Sequence, residues 1–386
     1  MSPHSFSIRS VRPHARTLVS CSAGFSRPGG AEIRSLDDLL RAIQPLNIRL
    51  YDAASLRNPQ KVGEGACYTV FRYTDTGMKE AVAVKQIKLP DDSNNHQAFR
   101  NRVDCVLKDI EVMCHPPIAQ HENILTLLGY GWGLHAGDVI PFIVTDFAAL
   151  GTLRDYLQAK RVSMQSKLAL CSQVACGLNR LHWASVAHGD LKLDNVLVFR
   201  NRTGEGAGTY ETQVVAKLSD FGHACLFSDD QGDGVTQTYL GTPWYLAPEL
   251  RQGTSLKSVE FLACDIWALG LLCWEVVRDG VRYFRLPEIS ALLGHSELFE
   301  ESSLSADTLG RIFDLCPALA EAATTSIYEP PYNSEFRPFQ QQFINGILRK
   351  TLQVDPSKRQ RDITKLPFIF GSGLHLGLME RMERHH

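Results

Sequence analysis

His188-Gly189-Asp190-Leu191-Lys192-Leu193-Asp194-Asn195 is the stretch on which the fold turns. It sets a carboxylate (Asp190), an ammonium (Lys192) and a side-chain amide (Asn195) within one short loop. Downstream, Leu218-Ser219-Asp220-Phe221-Gly222 offers a second carboxylate beside a glycine, and Gly241-Thr242-Pro243-Trp244-Tyr245-Leu246-Ala247-Pro248-Glu249 follows. Upstream, Val62-Gly63-Glu64-Gly65-Ala66-Cys67-Tyr68-Thr69-Val70 reads as a glycine turn between two strands. The next strand, Ala81-Val82-Ala83-Val84-Lys85, ends in a lysine. A glycine loop between strands, and not before a helix, excludes the dinucleotide-binding βαβ fingerprint.

Outward from these segments the hydrophobic period changes once. Strands are predicted at Lys61-Val62, Tyr68–Tyr73, Ala81–Gln86, around Ile124–Trp132 and at Ile140–Thr145. Between them lie a polar loop at 91–95 and a helix with Phe99, Val103, Val106, Ile110 and Met113 on one stripe. From Gly151 onward helices dominate: one carries Leu168, Cys171, Val174, Leu178 and Leu181, another spans Phe261–Val277, and a third lies near Phe339–Thr351. A strand-rich first third followed by helices predicts an α+β chain in two lobes. The expected organisation is a disordered tail over 1–35, a helical lead-in over 36–56 (Leu36, Leu39, Leu40, Ile43), lobes over 57–147 and 148–370, and a tail over 371–386. The glycine-rich stretch 200–213 reads as a surface loop.

Together the segments resemble the eukaryotic-type protein kinases, over roughly residues 57–370. The likeness lies in His188–Asn195 against H-R-D-L-K-x-x-N, Asp220-Phe221-Gly222, and Gly241–Glu249 against G-T-x-x-Y-x-A-P-E, in that order. It implies a bilobal fold: a small antiparallel β-sheet lobe with one main helix, and a larger, mostly helical lobe. Phosphoryl transfer needs cations around a cluster of negative charges and little covalent chemistry from the protein. The resemblance accordingly implies that Lys85 holds the α- and β-phosphates of ATP. Asp190 accepts the substrate hydroxyl's proton, and Lys192 neutralises the moving phosphoryl group. Asn195 and Asp220 hold Mg2+. Val62, Gly63 and Gly65 form the lid, and Val70, Ala83 and Leu197 enclose adenine. Thr145 becomes the gatekeeper of a hinge through Asp146 and Ala148. Asp265, in Asp265-Ile266-Trp267-Ala268-Leu269-Gly270, is expected to brace the catalytic loop, and Arg359 to pair with Glu249. Lys192 and Thr242 point to the serine/threonine branch, with Thr242 bridging Asp190 and Lys192, and the segment 241–249 points to a protein substrate.

Three departures stand out. Tyr68 occupies the third position of the G-x-G-x-x-G pattern. Gly189 replaces the arginine that would engage a phosphate on the loop 220–249, where Ser228, Thr236, Thr238, Tyr239 and the acids Asp229, Asp230 and Asp233 lie. This suggests a chain that is constitutively competent or controlled by helix position. The acid expected to pair with Lys85 is ambiguous. At 100° per residue Asp109 falls about 80° from the centre of the apolar stripe and Glu111 about 120°. Asp109 is the choice, one methylene short of the usual glutamate, with Glu111 the alternative. The competing class is a pseudokinase, a nucleotide-binding scaffold without turnover; a small-molecule kinase fits poorly with Ala247-Pro248-Glu249.

Bulk properties exclude other classes. A net charge of −2 on 386 residues favours neither nucleic acid nor an acidic membrane. The apolar run Phe261–Val277 carries Asp265 and Glu275 and falls short of a membrane span, so it reads as a buried helix. Ten cysteines without a C-x-x-C pair read as reduced thiols of a cytoplasmic protein. The first acid is Glu32, after Arg9, Arg12, Arg16 and Arg27, a composition shared with mitochondrial presequences. His115 and His121 read as a turn before a strand and not as metal ligands. The sequence specifies no oligomeric state.

Overall fold

The computed structural model describes residues 48–65, 67–74, 81–88, 96–135, 138–201, 214–227, 241–252, 256, 258–293, 306–328 and 336–366. The predicted N-terminal tail, the helix over 36–46, the loops 91–95 and 228–240, most of the insertion 200–213 and the C-terminal tail lie outside these residues, as does the Phe99 side chain.

The first lobe is a six-stranded sheet in the order β1-β5-β6-β4-β3-β2. Strands β2 (Gln60–Glu64), β3 (Tyr68–Tyr73), β4 (Val82–Ile87), β5 (Leu127–His135) and β6 (Asp138–Asp146) pair antiparallel. The outermost strand, β1 (Leu50–Asp52), departs from expectation twice. It lies in the segment predicted to be helical, and it runs parallel to β5. The cause is in β5. A Cβ at Gly129 would fall 2.4 Å from the Arg49 carbonyl oxygen, and one at Gly131 2.4 Å from that of Tyr51. Two glycines on one strand face let a neighbouring backbone approach, and Tyr51 buries its ring there. Leucine spacing over 36–46 carries no information about that docking. Likewise β5 begins at Leu127; Ile124 instead bridges to Leu218 in the second lobe.

Helix α1 (His96–Cys114) packs Val103, Val106, Ile110 and Met113 inward, and its fully buried residues include Asp109. The turn after it uses His121 locally, its Nδ1 accepting the Asn123 N–H at 3.2 Å.

The second lobe is built on α2 (Leu153–Ala159), α3 (Met164–Trp183) and α4 (Ser258–Val277), with α5 (Pro287–Leu293), α6 (Ala306–Asp314), α7 (Cys316–Ser326) and α8 (Pro338–Thr351) around them. Thr152 and Asp155 form a capping box on α2, and Ser163 caps α3. The apolar stripe Leu168–Leu181 of α3 is buried as its spacing predicts. Helix α4 is apolar on all sides because it is the lobe's central helix. A Cβ at Gly270 would lie 2.3 Å from Thr351 Oγ1, so glycine sets how closely α4 and α8 approach. Among the described residues no helix is long and apolar enough to cross a membrane. The two buried carboxylates of α4, Asp265 and Glu275, are satisfied by the protein. Glu275 accepts from Arg154 at 2.8 Å, the Tyr245 hydroxyl at 2.6 Å and the Tyr283 N–H at 3.1 Å.

Two short antiparallel ribbons lie between α3 and α4 in sequence: β7 (Val186–Ala187) with β10 (Cys225–Leu226), and β8 (Val196–Arg200) with β9 (Val214–Leu218). The loops that leave them carry the chemistry.

Candidate active site

The loop from β7 to β8 is held from beneath. Asp265 of α4 accepts the backbone N–H of His188 at 2.7 Å and of Gly189 at 3.1 Å, and His182 Nε2 lies 2.9 Å from the same carboxylate. With its backbone pinned there, the loop turns through Gly189 at φ +79° and presents Asp190. Asp190 is 5% exposed and takes four donors. Its Oδ1 accepts the Thr242 N–H at 2.8 Å and the Thr242 hydroxyl at 2.7 Å; its Oδ2 accepts Lys192 Nζ at 2.7 Å and Asn195 Nδ2 at 2.9 Å. Lys192 also donates to Thr242 Oγ1 at 2.6 Å, so Thr242 bridges the acid and the lysine. Burial pushes the Asp190 carboxyl up, but the Lys192 ammonium and the bonds from Lys192 and Thr242 outweigh it and hold the group below the usual carboxylate range. Asp194, in the same loop, faces away and pairs with Arg154 and Arg282.

The second loop hangs from β9. Ser219 donates its N–H to the Asn195 carbonyl at 2.9 Å, which ties it to the first loop. Asp220 follows at φ +65°, a backbone region that non-glycine residues occupy only when their surroundings hold them there. The Phe221 ring packs on His188 with centroids 5.4 Å apart, and the Phe221 N–H donates to Asp109 Oδ1 at 2.6 Å. From the other lobe, β4 brings Lys85 to this point. Its Nζ lies 3.8 Å from Asp109 Oδ2, a long ion pair, as the shorter side chain requires. Asp109 is the acid that the structure sets beside Lys85. Burial raises its carboxyl, opposed by Lys85 and reinforced by Asp220.

The remaining predicted residues sit on the strands around this point. Val70 on β3 is opposite Lys85, and Ala83 on β4 is opposite Thr145 on β6. Thr145 is buried, while Asp146 and Ala148 are half-buried; Asp146 lies 3.5 Å from Lys217 of β9. Gly63 lies on β2 and Gly65 at its end, with the Gly65 N–H on the Tyr68 carbonyl at 2.8 Å. Val62 is 44% exposed, and Leu197 of β8 is half-buried. The structure thus joins Asp190, Lys192, Asn195 and Thr242 by direct contact. Lys85, Asp109 and Asp220 connect to them through the backbone of 219–221.

The match to known proteins follows this geometry. Residues 56–366 match the protein kinase domain family. The chain belongs to this family. It is similar to the serine/threonine-protein kinase pakA of Talaromyces marneffei, 29% identical over 255 residues (64% of this chain, 34% of that protein). It is also similar to the serine/threonine-protein kinase ste20 of Aspergillus oryzae, 27% identical over 317 residues (81% and 30%). A third relative is the activin receptor type-2A of Ovis aries, 30% identical over 238 residues (57% and 42%). The matched region spans about a third of the length of these relatives.

Within this kinase domain, the magnesium expected of the family finds a suitable donor set. The Asn195 amide donates through Nδ2, to the Asp190 carbonyl at 2.8 Å and to the Asp190 carboxylate Oδ2, and its Oδ1 is an oxygen donor of the kind a metal would need. Among the described residues no protein group donates to the Asp220 carboxylate. Hard oxygen donors of this kind suit magnesium, which fills its other positions with water and phosphate oxygens.

The absence of arginine at 189 also has a local cause. A Cβ on Gly189 would meet the His223 carbonyl oxygen at 2.1 Å, at a φ that disfavours side chains. Gly189→Ala is expected to lower stability by about 1–3 kcal/mol. Urea unfolding checks this, and an unchanged midpoint would overturn it.

Three residues at the site escaped the sequence reading. Arg154 braces Asp194 and Glu275, and no local pattern marks it. His223 brings Nδ1 to 4.0 Å from Asp190 Oδ2, a consequence of the turn after Gly222. Tyr68 was visible only as a missing glycine, yet its hydroxyl donates to Asp109.

Proposed function

We propose that this chain is an active serine/threonine protein kinase, transferring the γ-phosphoryl group of ATP to serine and threonine hydroxyls of protein substrates. The observation that carries the reading is Asp190, a buried carboxylate kept ionised by Lys192, Asn195 and Thr242 at the mouth of the loop. Four donors fill its four lone-pair positions. A substrate hydroxyl therefore enters by displacing one of them. The Thr242 hydroxyl is suited to this, since it can rotate its proton away while still accepting from Lys192. Asp190 then aligns the nucleophile and takes its proton as the hydroxyl oxygen bonds to the γ-phosphorus, while the bond from that phosphorus to the bridging oxygen breaks and ADP leaves. Lys192 stays beside the transferring group as a cation, and Lys85 anchors the α- and β-phosphates from the other side. When bound by Asn195 and Asp220, magnesium supplies charge neutralisation at the phosphate oxygens. Val70, Ala83, Thr145 and Leu197 would hold the adenine, with backbone groups at Asp146 and Ala148 as its hydrogen-bond partners. Val62, Gly63 and Gly65 would cover the phosphates.

A second reading has its own observation. The long Lys85–Asp109 pair and the tyrosine beneath the glycine loop would suit a kinase domain that binds nucleotide as a scaffold without turnover. One experiment separates the two. The purified chain is incubated with γ-labelled ATP, magnesium and a generic basic protein, and the labelled residues are identified. Label on serine and threonine is expected, absent when magnesium is chelated. No incorporation by a chain that still binds a non-hydrolysable ATP analogue would favour the scaffold.

A further inference from the structure

We propose that Tyr68 is a positioning residue for Lys85, its hydroxyl and ring making up for the methylene that Asp109 lacks. The proposal rests on the kinase reading above and adds a residue to it.

The geometry is specific. Tyr68 opens β3, is 6% exposed, and turns its ring inward toward α1. Its hydroxyl lies 2.9 Å from Asp109 Oδ2, the oxygen that is 3.8 Å from Lys85 Nζ. The ammonium is also 5.4 Å from the Tyr68 ring centroid, within range of the attraction between a cation and an aromatic face. One side chain therefore touches both members of the pair.

An aspartate at 109 brings its carboxylate within ion-pair range of Lys85 but not to hydrogen-bond length. Left with that contact alone, a fully buried carboxylate would be poorly compensated and free to rotate. Two donors fix its plane instead: the Phe221 N–H on Oδ1 and the Tyr68 hydroxyl on Oδ2. Burial and the neighbouring Asp109 push the Tyr68 phenol well above its ordinary value, so the hydroxyl remains a donor. The ammonium is then located by the fixed carboxylate on one side and the ring face on the other. The two departures from the family pattern, at positions 68 and 109, are one device. A glutamate at 109 would drive its carboxylate into the tyrosine hydroxyl. A glycine at 68 would leave Oδ2 without its donor and the ammonium without its aromatic face.

The test uses the full chain and four variants: Tyr68→Phe, Tyr68→Gly, Asp109→Glu and the double variant Tyr68→Gly with Asp109→Glu. Binding of a non-hydrolysable ATP analogue with magnesium is measured by calorimetry, alongside kcat and KM for ATP. Tyr68→Phe keeps the ring and loses only the hydroxyl. It should weaken analogue binding and raise KM by about tenfold, the loss of one hydrogen bond to a charged group. Each of the other single variants should be worse than the double, in which the longer acid reaches the lysine through the vacated space. The proposal fails if Tyr68→Phe binds and turns over within about twofold of the parent. It also fails if the double variant is as weak as the product of the two singles. A parent chain that binds the analogue but never transfers phosphate, with binding weakened in Tyr68→Phe, would remove the proposed activity and leave the role of Tyr68 standing.

Discussion

Asp190→Asn is expected to lower kcat by about 10²–10⁴-fold, the usual contribution of a positioned general base, while KM for ATP changes little. The substitution preserves shape and removes the charge and the proton acceptor. It also reverses part of the hydrogen-bond pattern. The carboxylate accepts on both oxygens, two bonds from Thr242 and one each from Lys192 and Asn195. An asparagine NH2 must face one of these pairs of donors, either the Thr242 backbone N–H or the Lys192 ammonium. A loss of about 1–3 kcal/mol in stability should accompany the loss of rate. Labelled-phosphate transfer under saturating ATP measures the first effect and urea unfolding the second. A kcat within about tenfold of the parent would show that Asp190 is not the base.

Arg359→Leu should produce the largest stability change, about 3–5 kcal/mol, because it removes the guanidinium that pairs with a largely buried carboxylate. Arg359 is 3% exposed and holds Glu249 through two parallel bonds of 2.5 and 2.7 Å. It also donates to the carbonyls of Gln353, Ala263 and Val354, and its guanidinium lies 5.2 Å from the Trp267 ring centroid. Glu249 closes the segment that carries Thr242, so the pair anchors the substrate side of the site to α4. Loss on this scale is a third or more of the stability of many domains. Guanidinium unfolding of the single variant and of the double variant with Glu249→Leu gives the coupling. If the double is destabilised by the simple sum of the singles, the two residues are not acting as a pair.

The site was legible where a short motif fixes a residue's function locally. Asp190, Lys192, Asn195 and Asp220 occur at spacings that the loop geometry demands, and the structure brings Lys192 and Asn195 onto the Asp190 carboxylate. Helical phase points to Asp109 over Glu111, and α1 sets Asp109 Oδ2 3.8 Å from Lys85 Nζ of β4. What could not be read was anything set by tertiary approach. The strand at Leu50–Asp52 depends on two glycines far along the chain. The bonds of Arg154 to Asp194 and Glu275 join three distant segments. Tyr68 broke a pattern, and nothing in its neighbours showed that the ring would turn inward and meet the acid of α1.

The short parallel strand at the rim of the first lobe has a consequence for how molecules of this chain coexist in solution. Strand 127–135 would otherwise present a run of unpaired amides and carbonyls along its outer flank, a template on which another chain could build. Leu50–Asp52 occupies the middle of that flank, opposite Tyr130–Trp132, and at three residues it is too brief to serve as a new template. The segment just before the matched domain therefore covers the middle of that exposed flank, and a fragment beginning at residue 56 would leave it bare.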